Sequence, residues 1–447
     1  MVDLPQEFLA RMKRMLGDEF DAFLASYEKD KISALRINTL KTDGEEVRKA
    51  FSLKHVDWCD QGYYYEAEER PGKSVLHEGG AYYIQEPSAM AVVENLKIEE
   101  GDMVLDLCAA PGGKSTQIAA KLNSTGLLIA NEIIPSRAKI LSQNIERMGV
   151  KNCIVLNESP KSLADRFCGI FDKILVDAPC SGEGMFRKNP SAIDEWSEDN
   201  VAACKQRQLD ILEQAATMLK SGGRMVYSTC TFSLEENEEV IDEFLSRHED
   251  FEVAPPVFEF CKGFPIKGGT RNEELALTNR IFPHKFVGEG HYFAVLQRKG
   301  SLEKKSYSRQ SPKISPAQVK IFDDWQRQNL NIQFAANLSF GDNLYAMPEG
   351  TPKLNGLKVE RAGLHLGLIL KNRFEPSHSL ALALNTSQAK RSLNLTQEEA
   401  VKYIGGQTLE REGEKGWSLA AYDGITLGWC KLDGIYAKNH YPKGLRR

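Results

Sequence analysis

Apolar side chains recur along the chain with two different periods. Between residues 5 and 27 they return every three or four positions, the spacing of one helix face: Phe8, Leu9, Met12, Met15, Leu16, Phe20, Phe23 and Leu24. The following "SALRINTLKT" has the pattern of a strand that leads into a polar turn. We therefore predict a small α+β unit over residues 1–95.

A second region, residues 96–300, alternates short apolar runs with helical patterns. The runs that predict strands are 103–107, 127–131, 153–156, 173–177, 224–228 and 291–297. This alternation is typical of an α/β fold with a parallel, doubly wound sheet. The region is the candidate catalytic domain.

The rest of the chain predicts a linker and two small units. The stretch "KGSLEKKSYSRQSPKISP" is polar, basic and broken by prolines, which indicates a linker over 301–320 and a small domain over 321–385. Farther on, Asp423-Gly424 and Asp433-Gly434 are hairpin turn signals between alternating runs. They predict a β-rich domain over 386–447.

Composition narrows the class of protein. A chain of 447 residues that is 42% hydrophobic is too long for one core and should form several domains. Its apolar runs are too short to span a membrane, and its first residues suggest an amphipathic helix rather than a signal peptide, so we expect a cytoplasmic location. The nine cysteines lack C-x-x-C pairs, which argues against a structural zinc site or a disulfide framework.

Charge is unevenly distributed along the chain. The overall net charge is −5, but residues 1–300 carry −12 and residues 301–447 carry +7. The final "KNHYPKGLRR" mixes bases with aromatic rings, a combination that binds phosphates and stacks on nucleobases: Lys438, His440, Tyr441, Lys443, Arg446 and Arg447. A solvated tail is the alternative.

The stretch "MVLDLCAAPGGKSTQIAAKL" runs from a strand through a glycine turn into a helix. Gly112 and Gly113 allow a ligand close to the backbone, and the helix from Lys114 offers free N–H groups. The spacing is not G-x-G-x-x-G, so a dinucleotide is not favoured. Glu132 ends the next strand about 20 residues on, where a carboxylate typically binds ribose. We predict an adenosine-containing ligand, with an ordinary exposed carboxylate as the alternative for Glu132.

Two thiols follow two of the predicted strands. Asp177 and Cys180 end one strand in "DKILVDAPCSGEGM", and Cys230 ends the next in "YSTCTFSLEENE". Because the carboxyl ends of parallel strands share one edge, both thiols should face the ligand crevice. Ser233 and Glu236 have capping-box spacing, which predicts a helix just past Cys230 whose N–H donors favour a thiolate. Two packing cysteines are the alternative, and spacing does not decide which thiol attacks.

These motifs carry a resemblance to a known family. In order and spacing, "LDLCAAPGGKS", "VDAPCSGEGM" and "YSTCTFSLEENE" resemble the RNA cytosine-C5 methyltransferases of the NOL1/NOP2/Sun type. "RINTLKT", "YYIQEPSAM", "RIFPHKFVGEGHYFAVLQ" and the C-terminal end are similar to its F-type bacterial small-subunit ribosomal RNA methyltransferases. The resemblance covers almost the whole chain. It implies a class I Rossmann-like methyltransferase sheet, an RNA-binding N-terminal domain, a PUA-like C-terminal domain and S-adenosylmethionine as cofactor.

The resemblance also implies roles for the motif residues. Cys230 would attack cytosine C6, Cys180 would aid product release, and Asp177 would hold or protonate the pyrimidine edge with help from Lys114. Glu132 would bind the ribose, and Asp177 would also lie against the cofactor. Arg137 and residues 157–160 would border the adenine, although the Asp often found near Ser159 in the family is absent here. The methionine end would meet Cys108, Ala109, Ala110, Pro111, Gly112, Gly113 and Lys114.

Other basic residues are candidates for RNA contact. Arg187 and Lys188 follow the first thiol loop, where phosphate is expected. His284, Lys285 and His291 belong either to the closing hairpin of the sheet or to an RNA contact. We expect ribosomal RNA or the small ribosomal subunit as partner, no membrane or metal, and a monomer.

Three other functions remain open. Transfer RNA is the alternative substrate within the class. A nonenzymatic RNA-binding assembly factor would have no use for two thiols and an acid at one edge. An NAD-dependent oxidoreductase lacks its usual glycine spacing. The pattern does not reveal which cytosine is modified, or whether the substrate is naked RNA or an assembled subunit.

Overall fold

The N-terminal unit contains five helices and a small sheet, and its first two helices pack against the central domain. A computed structural model describes residues 3–269, 271–302, 306–371 and 373–447. The helices are α1 (Gln6–Leu16), α2 (Phe20–Ala25), α3 (Glu45–Ala50), α4 (Val75–Glu78) and α5 (Pro87–Glu94). An antiparallel sheet of order β2-β3-β1-β4 contains β1 (Ala34–Ile37), β2 (Lys54–His55), β3 (Gly62–Tyr64) and β4 (Tyr82–Ile84). The apolar faces of α1 and α2 bury Phe8, Met12 and Phe23 against Phe186 and Phe232 of the central domain.

The central domain is built on a mixed sheet with a parallel centre. Its strands are β5 (Met103–Asp106), β6 (Leu127–Asn131), β7 (Cys153–Leu156), β8 (Phe171–Asp177), β9 (Leu219–Thr229), β10 (Phe251–Val253), β11 (Cys261–Lys262), β12 (Asn279–Ile281) and β13 (His291–Arg298). Its helices are α6 (Gly113–Lys121), α7 (Pro135–Arg147), α8 (Pro160–Ala164), α9 (Ser191–Asp194), α10 (Glu198–Met218), α11 (Glu238–Arg247) and α12 (Asn272–Leu275). The strand order is β11-β12-β13-β9-β8-β5-β6-β7, and β10 pairs with β13. Apolar clusters cover both faces, as expected for a sheet buried between helices.

The predicted strands agree with the observed ones, but one runs in the opposite direction. Strands β5 to β9 are parallel to one another, whereas β13 is antiparallel to β9. The reversal arises because β12 and β13 form an antiparallel hairpin at the edge. This confirms that "RIFPHKFVGEGH" closes the sheet.

The region after the central domain is bound to the same sheet. Its elements are α13 (Pro316–Asn329), β14 (Leu338–Phe340), β15 (Asn343–Ala346), β16 (Val359–Ala362), β17 (Leu364–Leu370), β18 (Arg373–Pro376) and α14 (His378–Leu382). Strand β16 pairs antiparallel with β7, so it extends the central sheet beyond residue 300. Helix α13 begins inside the predicted linker because Ser315 and Gln318 form a capping box and Pro316 occupies the first turn. The linker prediction is therefore wrong for its last residues.

The C-terminal residues form a five-stranded sheet and one helix. They comprise β19 (Ser392–Asn394), α15 (Gln397–Ile404), β20 (Leu409–Glu410), β21 (Gly416–Tyr422), β22 (Ile425–Leu432) and β23 (Tyr436–Asn439). The predicted turn at Asp423-Gly424 joins β21 to β22 with φ of 47° and 77°, the positive values that a two-residue hairpin of this type requires. None of the helices in the described ranges has the length and apolar character needed to cross a bilayer.

The last residues of the chain contact the N-terminal unit. Tyr441 is buried, and its hydroxyl donates to a Glu78 carboxylate oxygen at 3.3 Å. Arg447 forms an ion pair with Glu78 at 2.6 Å. The interpretation of this segment as an RNA-binding tail is therefore wrong for Tyr441, which is buried between domains. Arg447 is half exposed, and its RNA contact stays a prediction.

Candidate active site

The glycine turn forms one wall of a large cavity. Cys108 and Ala110 line this cavity, whose volume is about 860 Å³, whereas Ala109, Pro111, Gly112, Gly113 and Lys114 are not among its lining residues. Gly112 has a φ of 114°, and a Cβ there would lie 3.2 Å from the Leu141 side chain. A larger residue would therefore distort the turn.

Glu132 projects from the end of β6 and is buried, which excludes an ordinary exposed carboxylate. One of its oxygens accepts the Ile134 N–H at 2.9 Å, and the other lies 3.4 Å from the Arg137 guanidinium. Arg137 also donates to the Ala110 carbonyl at 2.9 Å, which links the strand end to the glycine turn. Both side chains line the cavity.

The segment 157–160 borders the same cavity. Ser159 and Pro160 line it, and the Asn157 amide donates to the Glu132 and Ile133 carbonyls at 2.7 and 2.9 Å. The sequence patterns did not identify several further lining residues: Asn131, Lys161, Arg207, Asp210, Ile211 and Gln214. Four of these lie on α10, whose amphipathic pattern shows which face packs but not which end reaches a ligand.

Asp177 is held by three partners at the end of β8. It accepts from the Lys114 ammonium at 2.8 Å and from the Ser228 hydroxyl at 2.7 Å, and the His291 Nε2 lies 3.6 Å away. Burial raises the pKa of Asp177, but the Lys114 ammonium and the neighbouring His291 ring outweigh burial and hold that pKa well below its usual range. Burial lowers the pKa of Lys114, and Asp177 more than offsets this, so it lies above its usual value. The pair therefore stays charged near neutral pH.

Asp106, at the end of β5, was not predicted as a site residue. It is fully buried, and one oxygen accepts from the Ser115 hydroxyl at 2.6 Å. The other oxygen has no hydrogen-bond partner among the residues that the structure describes. Burial raises the pKa of Asp106 to about 7.

The two candidate thiols meet at the mouth of the cavity. The Sγ atoms of Cys180 and Cys230 are 3.4 Å apart, and both residues line the cavity with Asp177. The contact with Cys230, followed by burial, raises the pKa of Cys180 well above its usual value. The loops are interlocked, since the Gly184 N–H donates to the Cys230 carbonyl at 2.8 Å.

The prediction of a helix just past Cys230 is wrong. Helix α11 begins at Glu238, and the Ser233 hydroxyl accepts only the Glu236 N–H, which is half of a capping box. The Asn237 amide donates to the Thr231 carbonyl at 3.0 Å and its oxygen accepts from the Thr229 hydroxyl, which holds 231–237 as a turn. The N-terminus of α11 therefore does not lie directly after Cys230.

The phosphate prediction is wrong for Arg187. Its guanidinium is buried, donating to a Glu289 carboxylate at 2.7 Å and to the Ser26 carbonyl at 2.8 Å. Lys188 lies 3.8 Å from the same Glu289, and its phosphate contact stays a prediction. Lys285 pairs with Glu19 on the N-terminal unit.

Comparison with known proteins covers the chain from end to end. Models described as the N-terminal domain of 16S rRNA methyltransferase RsmF, 16S rRNA methyltransferase RsmB/F, the RsmF first C-terminal domain and the RsmF PUA domain match residues 4–87, 93–297, 325–384 and 390–447. Ribosomal RNA small subunit methyltransferase F from Vibrio campbellii is 33% identical, over 100% of this chain and 98% of that protein. The chain belongs to the RsmF family.

Other relatives agree with this assignment. The Shewanella piezotolerans protein of the same name is 31% identical over 100% of this chain and 98% of its own length. A crystal structure of a methyltransferase homologue from Pyrococcus horikoshii aligns with a TM-score of 0.57 and 29% identity, covering 66% of this chain and 96% of that one. This RsmF-family chain is thus an S-adenosylmethionine-dependent methyltransferase of ribosomal RNA.

The cavity fits this cofactor in charge and position. S-adenosylmethionine carries a positive sulfonium, an ammonium and a carboxylate group. The cavity is lined by four acidic side chains, Glu132, Asp177, Asp210 and Glu213, and by three basic ones, Arg137, Lys161 and Arg207. The crevice also lies at the carboxyl ends of β5, β6 and β8, where open α/β sheets bind ligands. The methyl group would then be delivered beside the two thiols.

Proposed function

We propose that this protein methylates C5 of a cytosine in small-subunit ribosomal RNA through a transient covalent bond to Cys230. The main support for this proposal is that the Cys180 and Cys230 sulfur atoms lie 3.4 Å apart at the mouth of the cavity. Asp177 lines the same cavity. Cys180 aids release of the product.

Cytosine C5 needs activation, because it is a poor nucleophile. The Cys230 thiolate adds to C6, forming a sulfur–carbon bond and making C5 enamine-like. Bound S-adenosylmethionine would supply the electrophilic methyl group: the C5–methyl bond forms as the methyl–sulfur bond breaks, and S-adenosylhomocysteine leaves. A water molecule accepts the C5 proton, and the electron pair of that C–H bond restores the 5,6 double bond and expels the Cys230 sulfur as a thiolate.

Asp177 is suited to hold the polar edge of the base. Because the adjacent Lys114 ammonium keeps it ionised, it accepts a hydrogen bond from the cytosine amino group rather than giving up a proton. Lys114 and Ser228 fix the orientation of the carboxylate. We infer that Lys114 acts through Asp177, since it does not line the cavity.

The target base has to leave its stack, so the RNA must be held elsewhere. A groove of about 970 Å³ lies where α13 and β18 face the C-terminal sheet. Basic and aromatic side chains line it, suited to phosphates and bases: Arg373, Arg391, Lys415, Trp417, Lys431, Lys438 and His440. The groove supports the prediction that Lys438 and His440 contact RNA.

The test uses the intact chain with tritiated S-adenosylmethionine. Naked small-subunit RNA, assembled subunits and transfer RNA are compared as acceptors, and bisulfite sequencing locates the product. We expect label in small-subunit RNA at a cytosine that resists bisulfite. Label in transfer RNA alone, or at any atom other than C5, would contradict the proposal.

A further inference from the structure

A buried carboxylate lies behind the two thiols and was not assigned a role. Glu236 is fully buried, and its oxygens accept from the Ser181 N–H and the Gln208 amide, each at 2.9 Å, and from the Ser181 hydroxyl. That N–H belongs to the peptide bond joining Cys180 to Ser181. Within the described ranges, no basic side chain forms an ion pair with Glu236.

The hydrogen bonds to Glu236 favour its charged form. Burial raises the pKa of Glu236 above its usual value, and the three donors that converge on its two oxygens offset part of that rise. An unpaired buried carboxylate is unfavourable unless such donors compensate it. A negative charge thus lies against the loop that carries Cys180.

The surroundings of the two thiols therefore differ. Glu236 contacts the backbone next to Cys180, and its charge contributes to the raised pKa of that thiol, after the contact with Cys230 and burial. On the other side, Lys114 interacts electrostatically with Cys230 and is paired with Asp177 at 2.8 Å. A buried negative neighbour disfavours a thiolate.

We propose that Glu236 is a positioning residue that keeps Cys180 protonated, so that Cys230 is the sulfur that attacks. This deepens the proposed function and depends on it for the identity of the attacking thiol. The Ser181 hydroxyl lies 2.9 Å from the Thr231 hydroxyl, so the same network also joins the two loops. The effect of the Glu236 charge must therefore be separated from this structural link.

Other charged or titratable groups surround the network. Arg11 of α1 interacts with Glu236 electrostatically, although its guanidinium is paired with Glu183. The remaining groups belong to α6, β8, β9, α10 and β13: Lys114, Asp177, Tyr227, Cys204 and His291. All of them are kept unchanged in the test.

The test measures Cys180 reactivity directly and needs no methyl transfer. Full-length Cys230→Ser protein is alkylated with iodoacetamide across pH, with and without Glu236→Gln, and the Cys180 peptide is quantified by mass spectrometry. We expect Glu236→Gln to move the alkylation midpoint of Cys180 about one pH unit lower, about tenfold in thiolate fraction. Because no RNA is present, failure here is distinguishable from failure of the proposed function.

Three further variants separate charge from structure. Glu235→Gln removes a more exposed neighbouring carboxylate and should leave the midpoint unchanged. Ser181→Ala breaks the hydroxyl link but keeps the charge, so the midpoint should stay high. Gln208→Lys places an ammonium against Glu236 and should lower the midpoint even if Glu236→Gln does not fold. An unchanged midpoint in Glu236→Gln or in Gln208→Lys, or an equal fall in Ser181→Ala, would overturn the proposal.

Discussion

The loops that follow β8 and β9 each carry a cysteine, but the two cysteines have different surroundings. The two strands are parallel neighbours, and their thiols nearly touch. Cys180 lies against the buried Glu236 network, whereas Cys230 directly follows β9 on the side of Lys114. Position at a strand end brings each thiol to the edge of the sheet, whereas contact, burial and neighbouring charge together raise the pKa of Cys180.

The largest expected effect comes from replacing each of the two cysteines separately by alanine. Cys230→Ala should abolish methyl transfer, because no sulfur is left to activate C5. Cys180→Ala should instead accumulate a covalent RNA adduct, visible as a shifted band on a denaturing gel. An adduct found with Cys230→Ala would reverse the two roles.

Asp177→Asn should lower kcat by about 10²–10³-fold. The amide cannot supply the negative charge that Lys114 now orients toward the base. Tritium transfer at saturating RNA measures the effect. The matched control is Asp172→Asn on the same strand, which breaks a similar pair with Lys220 at 2.6 Å far from the thiols and should change kcat less than about twofold.

Arg11→Met should destabilise the protein by about 4 kcal/mol, because it leaves Glu183 buried and unpaired. Glu183 also accepts the Phe232 N–H at 3.1 Å, so the loss of stability should extend to both loops that carry the thiols. Urea denaturation measures the change, with exposed Arg14→Met on the same helix as control. If the double variant Arg11→Met, Glu183→Gln recovers no stability, the pair is not the cause.

Asp106, at the carboxyl end of β5, should make the free energy of unfolding depend on pH. The pKa of Asp106 is raised to about 7, so between pH 4 and 7 the folded chain holds more protons on this group than the unfolded chain. Stability should therefore fall by about 3 kcal/mol as pH rises through this range. Asp106→Asn should remove that part of the fall, which urea titrations at pH 5 and 8 would show. Equal losses in both proteins would contradict a buried charge at this position.

Much of the fold and part of the site followed from local sequence. The apolar runs predicted β5 to β9 and β13 within a few residues, and the glycine turn predicted the ligand-facing end of β5. Glu132 was found because it ends a strand at the binding edge. Such signals are local, since chain periodicity and turn chemistry depend on adjacent residues.

The errors concern polar side chains whose partners are distant in sequence. Arg187 pairs with Glu289, and Tyr441 contacts Glu78. Glu236 accepts a hydrogen bond from Ser181 instead of capping a helix. Local pattern shows that these groups are polar, but not whether they meet solvent, RNA or another domain.

By itself, the sequence determined the order of strands and helices, the turn chemistry and the family motifs. Only the tertiary structure decided that two sulfur atoms separated by 49 residues of chain lie 3.4 Å apart, with a carboxylate behind one of them. The physical reason is that backbone geometry is set over a few neighbouring residues, whereas the free energy of a buried charge depends on every group that folding brings around it.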